Sequence, residues 1–252
     1  MFKIDLNSDM GESFGNYTCG MDEEVLKYIT SANIACGFHA SDPMVMAKTV
    51  ELAKNQGVHI GAHPGFPDLQ GFGRRRMTMS FEEIRTMIIY QTGALDAFCR
   101  ASGVSLQHVK PHGALYNMAD KDMKMAEAIA RGIADVNPQL ILLAPYGSCM
   151  TKAAENIGLP VAYEVFADRA YEEDGSLVAR SKPGAMITDT AEAAARVLEM
   201  IKEGTVTAIT GKKIQVKADS VCIHGDSPSA LSFSKAIHDA LQAEGIELKP
   251  LK

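Results

Sequence analysis

Apolar and polar residues alternate along several short segments of the chain, and longer segments with helical spacing lie between them. In the first short segment, FKIDLN at 2–7, apolar and polar side chains fall on opposite faces of an extended chain. Segments of this kind predict strands at 2–7, 32–36, 58–63, 108–112, 140–144, 161–166 and 221–224. The longer segments predict helices at 44–56, 81–101, 120–136, 148–157, 190–202 and 229–242. Ser80 followed by Glu83 forms a capping-box pattern that places the start of the second helix.

Strands that alternate with helices predict an α/β fold with a parallel sheet and right-handed crossovers. An open sheet that is covered on both faces has nearly continuous apolar strands, but several of these strands keep one polar face. His108, Lys110 and His112 share such a face, and Cys222 and His224 share another. We therefore predict a (β/α) barrel of about seven parallel strands whose lumen is lined by functional groups. A β-hairpin is expected near 205–217 and a long loop at 171–186, and residues 1–252 show no linker that would divide them into two domains.

Charged and polar residues gather where the predicted strands end, which is where parallel α/β folds bind their ligands. Four of the seven histidines lie at such strand exits, each beside or near a glycine or proline. Chance would rarely place them so, and we expect these side chains to converge on one site. The catalytic candidates are Asp9, Glu12, His39, His63, Lys110, His112 and His224. The candidates for substrate binding are Asn7, Asp42, Asn117, Glu164, Asp168, Arg169 and Asp226.

Several of these residues also have a purely structural explanation. Asp42 precedes Pro43 and can cap the next helix, and Asp226 has the same ambiguity. Asp168 and Arg169 can form an ion pair. The three arginines at 74–76 either have a structural or solvated role or bind an anion. His59, His108 and His238 look ordinary, whereas a lysine on a polar strand face, as at 110, needs a partner or an anionic ligand.

Composition and missing motifs exclude several classes of function. A net charge of -6 argues against a nucleic-acid-binding protein, and no stretch is apolar enough to span a membrane. The five cysteines are scattered and odd in number, which together with an N-terminus that lacks a signal-peptide core favours the cytoplasm. No phosphate-binding loop, dinucleotide fingerprint or serine-hydrolase elbow is present. The histidines and carboxylates suit either a divalent metal or metal-free general acid–base catalysis, and the sequence leaves both open.

Six motifs, in order from the first predicted strand to the last, resemble those of the LamB/YcsF family. They are LNSDMGES, ANIACGFHASDP, GAHPGFPD, VKPHGALYN, EVFADRAY and HGD. The family usually has glycine where this chain has Ser41, a change that leaves His39 and Asp42 in place.

The resemblance implies a barrel similar to those of glycoside hydrolases and polysaccharide deacetylases. It also implies the 5-oxoprolinase reaction, in which 5-oxo-L-proline is hydrolysed to L-glutamate while ATP, as co-substrate, gives ADP and phosphate. Family members act together with two partner chains, 5-oxoprolinase subunits B and C. We therefore expect the chain to be active only with these partners. In such a site the histidines and carboxylates would activate water, Lys110 would stabilise an oxyanion or phosphate, and Arg169 or the loop at 74–76 would hold the substrate carboxylate.

Two other functions fit the same residues. One is a metal-dependent deacetylase or amidohydrolase that acts alone. The other is a non-catalytic component that binds the substrate and delivers it to its partners, although a binding protein needs fewer ionisable groups than this chain gathers.

Overall fold

Seven parallel strands close into a barrel in the computed structural model, which describes residues 2–223 and 230–252. The barrel strands are β1 Lys3–Met10, β2 Ser31–Ala35, β3 His59–His63, β4 Leu106–Val109, β5 Ile141–Ala144, β6 Val161–Phe166 and β9 Ser220–Cys222. The barrel closes because β1 pairs with β2 on one side and with β9 on the other. The predicted (β/α) barrel of about seven strands is therefore confirmed.

Helices cover the outside of the barrel between the strands. They are α1 Asp22–Val25, α2 Pro43–Gln56, α3 Phe81–Ala101, α4 Gly113–Ala119, α5 Met123–Val136, α6 Cys149–Asn156, α7 Thr190–Glu203 and α8 Ala230–Ala243. The capping box at the start of α3 is confirmed, because the Ser80 and Glu83 side chains each accept a hydrogen bond from the other residue's backbone N–H. In the part of the chain that the structure describes, none of the helices combines the length and the hydropathy that a bilayer span requires.

Three short strands complete the sheet structure. The predicted hairpin is confirmed as β7 Thr205–Thr207 and β8 Lys213–Gln215, which pair in antiparallel fashion. β10 Glu247–Leu248 pairs in parallel with the first residues of β1. The last predicted barrel strand, 221–224, is observed as β9, and its residue 224 lies outside the described residues.

The region after β4 differs from the prediction of a strand at 108–112 and one helix at 120–136. β4 already ends at Val109, and Pro111 cannot donate a ladder hydrogen bond that would extend it. The chain then turns into α4, a short helix that the periodicity missed, with His112 at its N-cap position. A separate helix, α5, begins after Asp122, whose side chain accepts a hydrogen bond from the Met125 N–H.

The barrel lumen is polar, as the alternation in the strands predicts, and its groups are joined by hydrogen bonds. Asn7 donates to Ser220 Oγ over 2.7 Å, and Asn33 donates to Asn7 Oδ1 over 2.8 Å. His108, which looked ordinary in the sequence, crosses the lumen and donates from Nε2 to Asn33 Oδ1 over 2.7 Å. Because buried polar groups cost free energy unless they are paired, this network fixes the side chains beneath the mouth of the barrel.

Gly61 on β3 makes room for the His108 ring. A Cβ atom at this position would lie 2.0 Å from His108 Nε2. We expect Gly61→Ala to displace that ring from its bond to Asn33 and to lower the free energy of unfolding by about 1–3 kcal/mol, the usual cost of overpacking. Urea unfolding measures this loss. Gly93→Ala in α3 is the matched control, since a Cβ there meets no atom within 4 Å, and alanine at a helix-interior glycine should stabilise by about 0.5–1 kcal/mol. Equal stability of the two variants would contradict the prediction.

Candidate active site

A cavity of about 470 Å³ opens at the carboxyl end of the barrel strands. Seven of the predicted residues line it: Asp9, Glu12, His63, Lys110, His112, Asn117 and Arg169. These side chains come from β1, β3 and the segments that follow β1, β4 and β6, so residues far apart in the chain converge at one mouth. Residues 176–180 of the predicted long loop form another wall.

Glu12 and three histidines form a buried cluster at one side of this cavity, which we call the histidine cluster. The distance from Glu12 Oε1 is 3.1 Å to His39 Nε2 and 3.5 Å to His112 Nδ1. His112 Nδ1 lies 3.0 Å from His63 Nε2. One ligand atom from each of the four residues lies within 4.8 Å of the others, so the cluster can hold a metal ion.

The rings of the histidine cluster are packed tightly and kept from water. His39 stacks on His112 with ring centroids 3.6 Å apart and planes within 3° of parallel. Burial, the neighbouring histidines and Arg74 hold the pKa of both His39 and His112 well below the ordinary value, despite the opposing effect of Asp9. Both rings are therefore neutral at pH 7, the state in which an imidazole accepts a proton or binds a metal.

Two backbone positions permit this packing. Gly73 has φ of +62°, and a Cβ there would lie 2.7 Å from both His112 Cδ2 and His39 Cβ. Ser41, after His39, adopts φ of +74°, a left-handed conformation that glycine takes without strain. This explains the glycine that the LamB/YcsF motif usually has at that position.

Lys110 lies at the centre of a second buried network beside the histidine cluster. Its Nζ is 3.0 Å from Asp9 Oδ1, 2.8 Å from Glu164 Oε1 and 3.0 Å from Cys222 Sγ. Burial by itself lowers the pKa of Lys110, but the carboxylates of Asp9 and Glu164 outweigh it and hold the pKa well above the ordinary value. Lys110 is therefore an ammonium group, and it reaches the cavity with its charge already oriented.

Arg169 presents an incompletely compensated charge to the same cavity. Its side chain is buried and donates from Nη2 to the Val178 carbonyl over 2.6 Å, while Nε has no hydrogen-bond partner among the described residues. Burial and the nearby Arg180 lower the pKa of Arg169 to about 10. A guanidinium in this position is suited to a carboxylate or phosphate ligand.

The arginines of the loop at 74–76 divide between the two roles left open by the sequence. Arg75 forms an ion pair with the buried Asp68, which is a structural contact. Arg74 and Arg76 line the cavity together with Arg169 and Arg180, a set of positive charges suited to an anionic ligand.

The other predicted residues that the structure describes lie outside the cavity wall. Asp42 is a helix cap that accepts hydrogen bonds from the N–H groups of Gly15, Met44 and Val45, and these bonds hold its pKa below the usual value. Asn7 belongs to the lumen network, and Glu164 pairs with Lys110 behind the wall. Asp168 is buried and does not line the cavity. His224 and Asp226 lie outside the described residues.

Tyr116 is a cavity residue that the sequence did not single out. Its hydroxyl donates to Glu164 Oε2 over 2.9 Å, and burial together with the Glu164 charge holds the pKa of the phenol well above its ordinary value. Tyr116 lies on the short helix α4, which the sequence periodicity missed. Recognising a helix after Pro111 would have been the way to find Tyr116 from the sequence.

Known proteins are similar to this chain over nearly its whole length. The sequence profile of the LamB/YcsF family matches residues 4–252. A protein from Clostridium beijerinckii, named as the A subunit of 5-oxoprolinase, is 66% identical over 251 residues, which are 100% of this chain and 98% of the relative. The crystal structure of a lactam utilization protein from Thermus thermophilus has a TM-score of 0.95 and 46% identity, covering 99% of this chain and 100% of that one.

More distant structures share the barrel alone. A family 4 carbohydrate esterase from Streptomyces lividans has a TM-score of 0.52 at 9% identity, over 100% of this chain and 93% of the other. The fold is therefore like that of this esterase. The profile match across nearly the whole chain and the high identity to curated relatives show that this protein belongs to the LamB/YcsF family.

Proposed function

We propose that this chain is the A subunit of an ATP-dependent 5-oxoprolinase, which opens 5-oxo-L-proline to L-glutamate together with subunits B and C. The names of its relatives, which refer to 5-oxoprolinase and to lactam utilization, support this substrate. The first name also describes one component of a larger enzyme, which supports a complex with other chains. The observation that carries the proposal is the convergence of neutral histidines, the Lys110 ammonium and the buried Arg169 on one cavity.

The substrate presents two groups that the cavity can recognise. Its carboxylate matches Arg169, whose burial strengthens an ionic hydrogen bond and whose Nε lacks a partner among the described residues. With the carboxylate there, the lactam ring would share the cavity with Lys110 and His112, which also line it. A cavity of about 470 Å³ exceeds what a small lactam fills and leaves room for a phosphoryl group.

The lactam carbonyl is a poor electrophile, which explains the use of ATP. Transfer of the γ-phosphoryl group to the amide oxygen activates the ring carbon and releases ADP. Water then adds to that carbon, the C–N bond breaks as the nitrogen takes up a proton, and a second water hydrolyses the acyl phosphate to glutamate and phosphate. Because the chain has no recognisable phosphate-binding loop, we place much of the ATP handling on the partner chains.

The residues of the cavity supply the remaining steps. Without a bound metal ion, Glu12, His63 and the neutral His112 accept the proton from water and return one to the leaving nitrogen, a contribution of about 10²–10⁴-fold. Lys110 stabilises the negative charge that develops on the carbonyl or phosphate oxygens. Asp9 and Glu164 hold the Lys110 ammonium in place.

The test is an assay of glutamate and phosphate release from 5-oxo-L-proline and ATP. We expect both products, in equal amounts, when this chain is combined with subunits B and C, and neither product from any single chain. Full activity of B and C without this chain would contradict the proposal.

The histidine cluster favours a second candidate, a metal-dependent amidohydrolase that acts alone. This function predicts hydrolysis of a lactam or acetamide by the isolated chain without ATP, and loss of that activity with a chelator. Substitutions in the cavity test a non-catalytic role in substrate delivery. If the chain only delivers the substrate, turnover by the assembled complex should fall in proportion to the loss of substrate affinity and no further.

A further inference from the structure

Two backbone carbonyls fix the protons of two rings in the histidine cluster. His112 Nε2 lies 2.8 Å from the Phe72 carbonyl oxygen, and His63 Nδ1 lies 2.6 Å from the Lys110 carbonyl oxygen. A carbonyl oxygen only accepts hydrogen bonds, so each of these nitrogens is the protonated one. An imidazole that binds a metal has a single N–H, so in each ring the other nitrogen is the one that offers its lone pair.

Those two lone pairs point at each other. His112 Nδ1 and His63 Nε2 are 3.0 Å apart, and carboxylate oxygens lie close to both. Glu12 Oε1 is 3.5 Å from the first nitrogen, and Asp9 Oδ2 is 3.4 Å from the second. Two lone pairs that face each other beside negative charge repel in a buried site, which calls for a cation between them.

The spacing fits a small metal ion. Bonds of about 2.0–2.1 Å in a tetrahedral site separate the ligand atoms by about 3.3 Å. The observed separations are 3.0 Å between His63 Nε2 and His112 Nδ1 and 3.5 Å between His112 Nδ1 and Glu12 Oε1. We propose that Glu12, His63 and His112 bind one divalent transition-metal ion of the zinc class.

The type and surroundings of the donors indicate which ions fit. Two imidazoles and one carboxylate suit Zn²⁺ or Co²⁺, whereas Mg²⁺ and Ca²⁺ require mostly oxygen ligands. The carbonyls of Phe72 and Lys110 accept the outer N–H groups of His112 and His63, the arrangement that orients metal-binding histidines in proteins.

His39 supports the site rather than binding the ion. Its ring is parallel to that of His112, with ring centroids 3.6 Å apart, so the in-plane lone pairs of the two rings cannot point at one ion. Its Nε2 lies 3.1 Å from Glu12 Oε1 and so helps to orient that carboxylate. Glu12, His63 and His112 line the cavity, so a tetrahedral ion held by these three residues would keep its fourth position open to the substrate. Three protein ligands and one open position are typical of catalytic rather than structural zinc sites.

The experiment measures metal binding by the full chain without substrate, ATP or partner chains, so its outcome is independent of the proposed reaction. The purified chain is stripped with a chelator, dialysed and titrated with Co²⁺, whose visible absorption reports tetrahedral nitrogen and oxygen ligands. Bound Zn²⁺ is counted by mass spectrometry of the metal. We expect one ion per chain, displacement of Co²⁺ by Zn²⁺, and no displacement by Mg²⁺.

Variants at the two ends of β3 distinguish metal binding at the proposed site from nonspecific metal binding at the surface. We expect His63→Gln to weaken Co²⁺ binding by about 100-fold or more. His59→Gln, at the exposed start of the same strand β3, should bind like the native chain. Circular dichroism checks that each variant is folded, and Glu12→Gln replaces His63→Gln if the latter does not fold. No binding by the native chain, or equal binding by the native and cluster variants, would overturn the proposal and leave a shared proton between His63 and His112 as the explanation.

Discussion

Replacing Lys110 by methionine is expected to lower the free energy of unfolding by about 3–5 kcal/mol, the cost of removing one partner from a buried ion pair. Lys110 lies between Asp9 and Glu164, and all three side chains are buried. Methionine fills a similar volume, so the loss comes from the charge and not from a cavity. The two carboxylates would remain in a site of low polarity without the ammonium group that compensates them. Equilibrium unfolding in urea measures the difference.

An exposed ion pair provides the control for Lys110→Met. Lys182 lies 2.7 Å from Glu172, with 58% and 29% of the two side chains exposed. Water already solvates this pair, so Lys182→Met should change the free energy of unfolding by about 1 kcal/mol or less. If both variants lost the same small amount, Lys110 would not be the compensating charge of the buried network.

In the proposed 5-oxoprolinase complex, replacing His112 by alanine is expected to lower turnover by about 10²–10⁴-fold, the range for loss of a positioned acid or base. His112 is neutral, lines the cavity and has its Nδ1 directed toward Glu12 and His63. Its removal takes away a proton acceptor and also the surface against which His39 stacks. The measurement is glutamate release from 5-oxo-L-proline and ATP with subunits B and C at saturating substrate.

The control for this variant is His59→Gln, which removes an exposed histidine at the opposite end of the barrel. Its turnover should match that of the native chain. Circular dichroism of His112→Ala excludes unfolding as the cause of a loss. Near-native turnover by folded His112→Ala would show that His63 and Glu12 act without it.

The alternation of apolar and polar residues was sufficient to predict the barrel, the hairpin and the polar lumen. It succeeded because a strand with one face toward helices and one toward a polar interior must alternate with period two. It failed after β4, because Pro111 and the Asp122 helix cap are local signals. They end or begin an element without leaving a periodic pattern of apolar residues. His108 looked ordinary because its importance depends on Gly61 from the neighbouring strand, which leaves space for the ring.

Part of the candidate site could also be predicted from the sequence. Strand exits are visible in sequence, so Glu12, His63 and His112 could be placed at one end of the barrel from the sequence alone. Asp42 lies at a strand exit too, but its side chain is used to cap α2. Sequence position does not distinguish these cases, because a helix N-cap and a substrate ligand favour the same residue types.

The sequence by itself determined the order of strands and helices, the face of each strand that is polar, and the family to which the chain belongs. Those properties depend on residue type and spacing along the chain. Only the tertiary structure decided that His63 Nε2 and His112 Nδ1 lie 3.0 Å apart, that Lys110 lies between two carboxylates, and that Arg169 is buried beside the cavity. The physical reason is that charge compensation and ring orientation depend on distances between residues of different strands, which barrel closure alone sets.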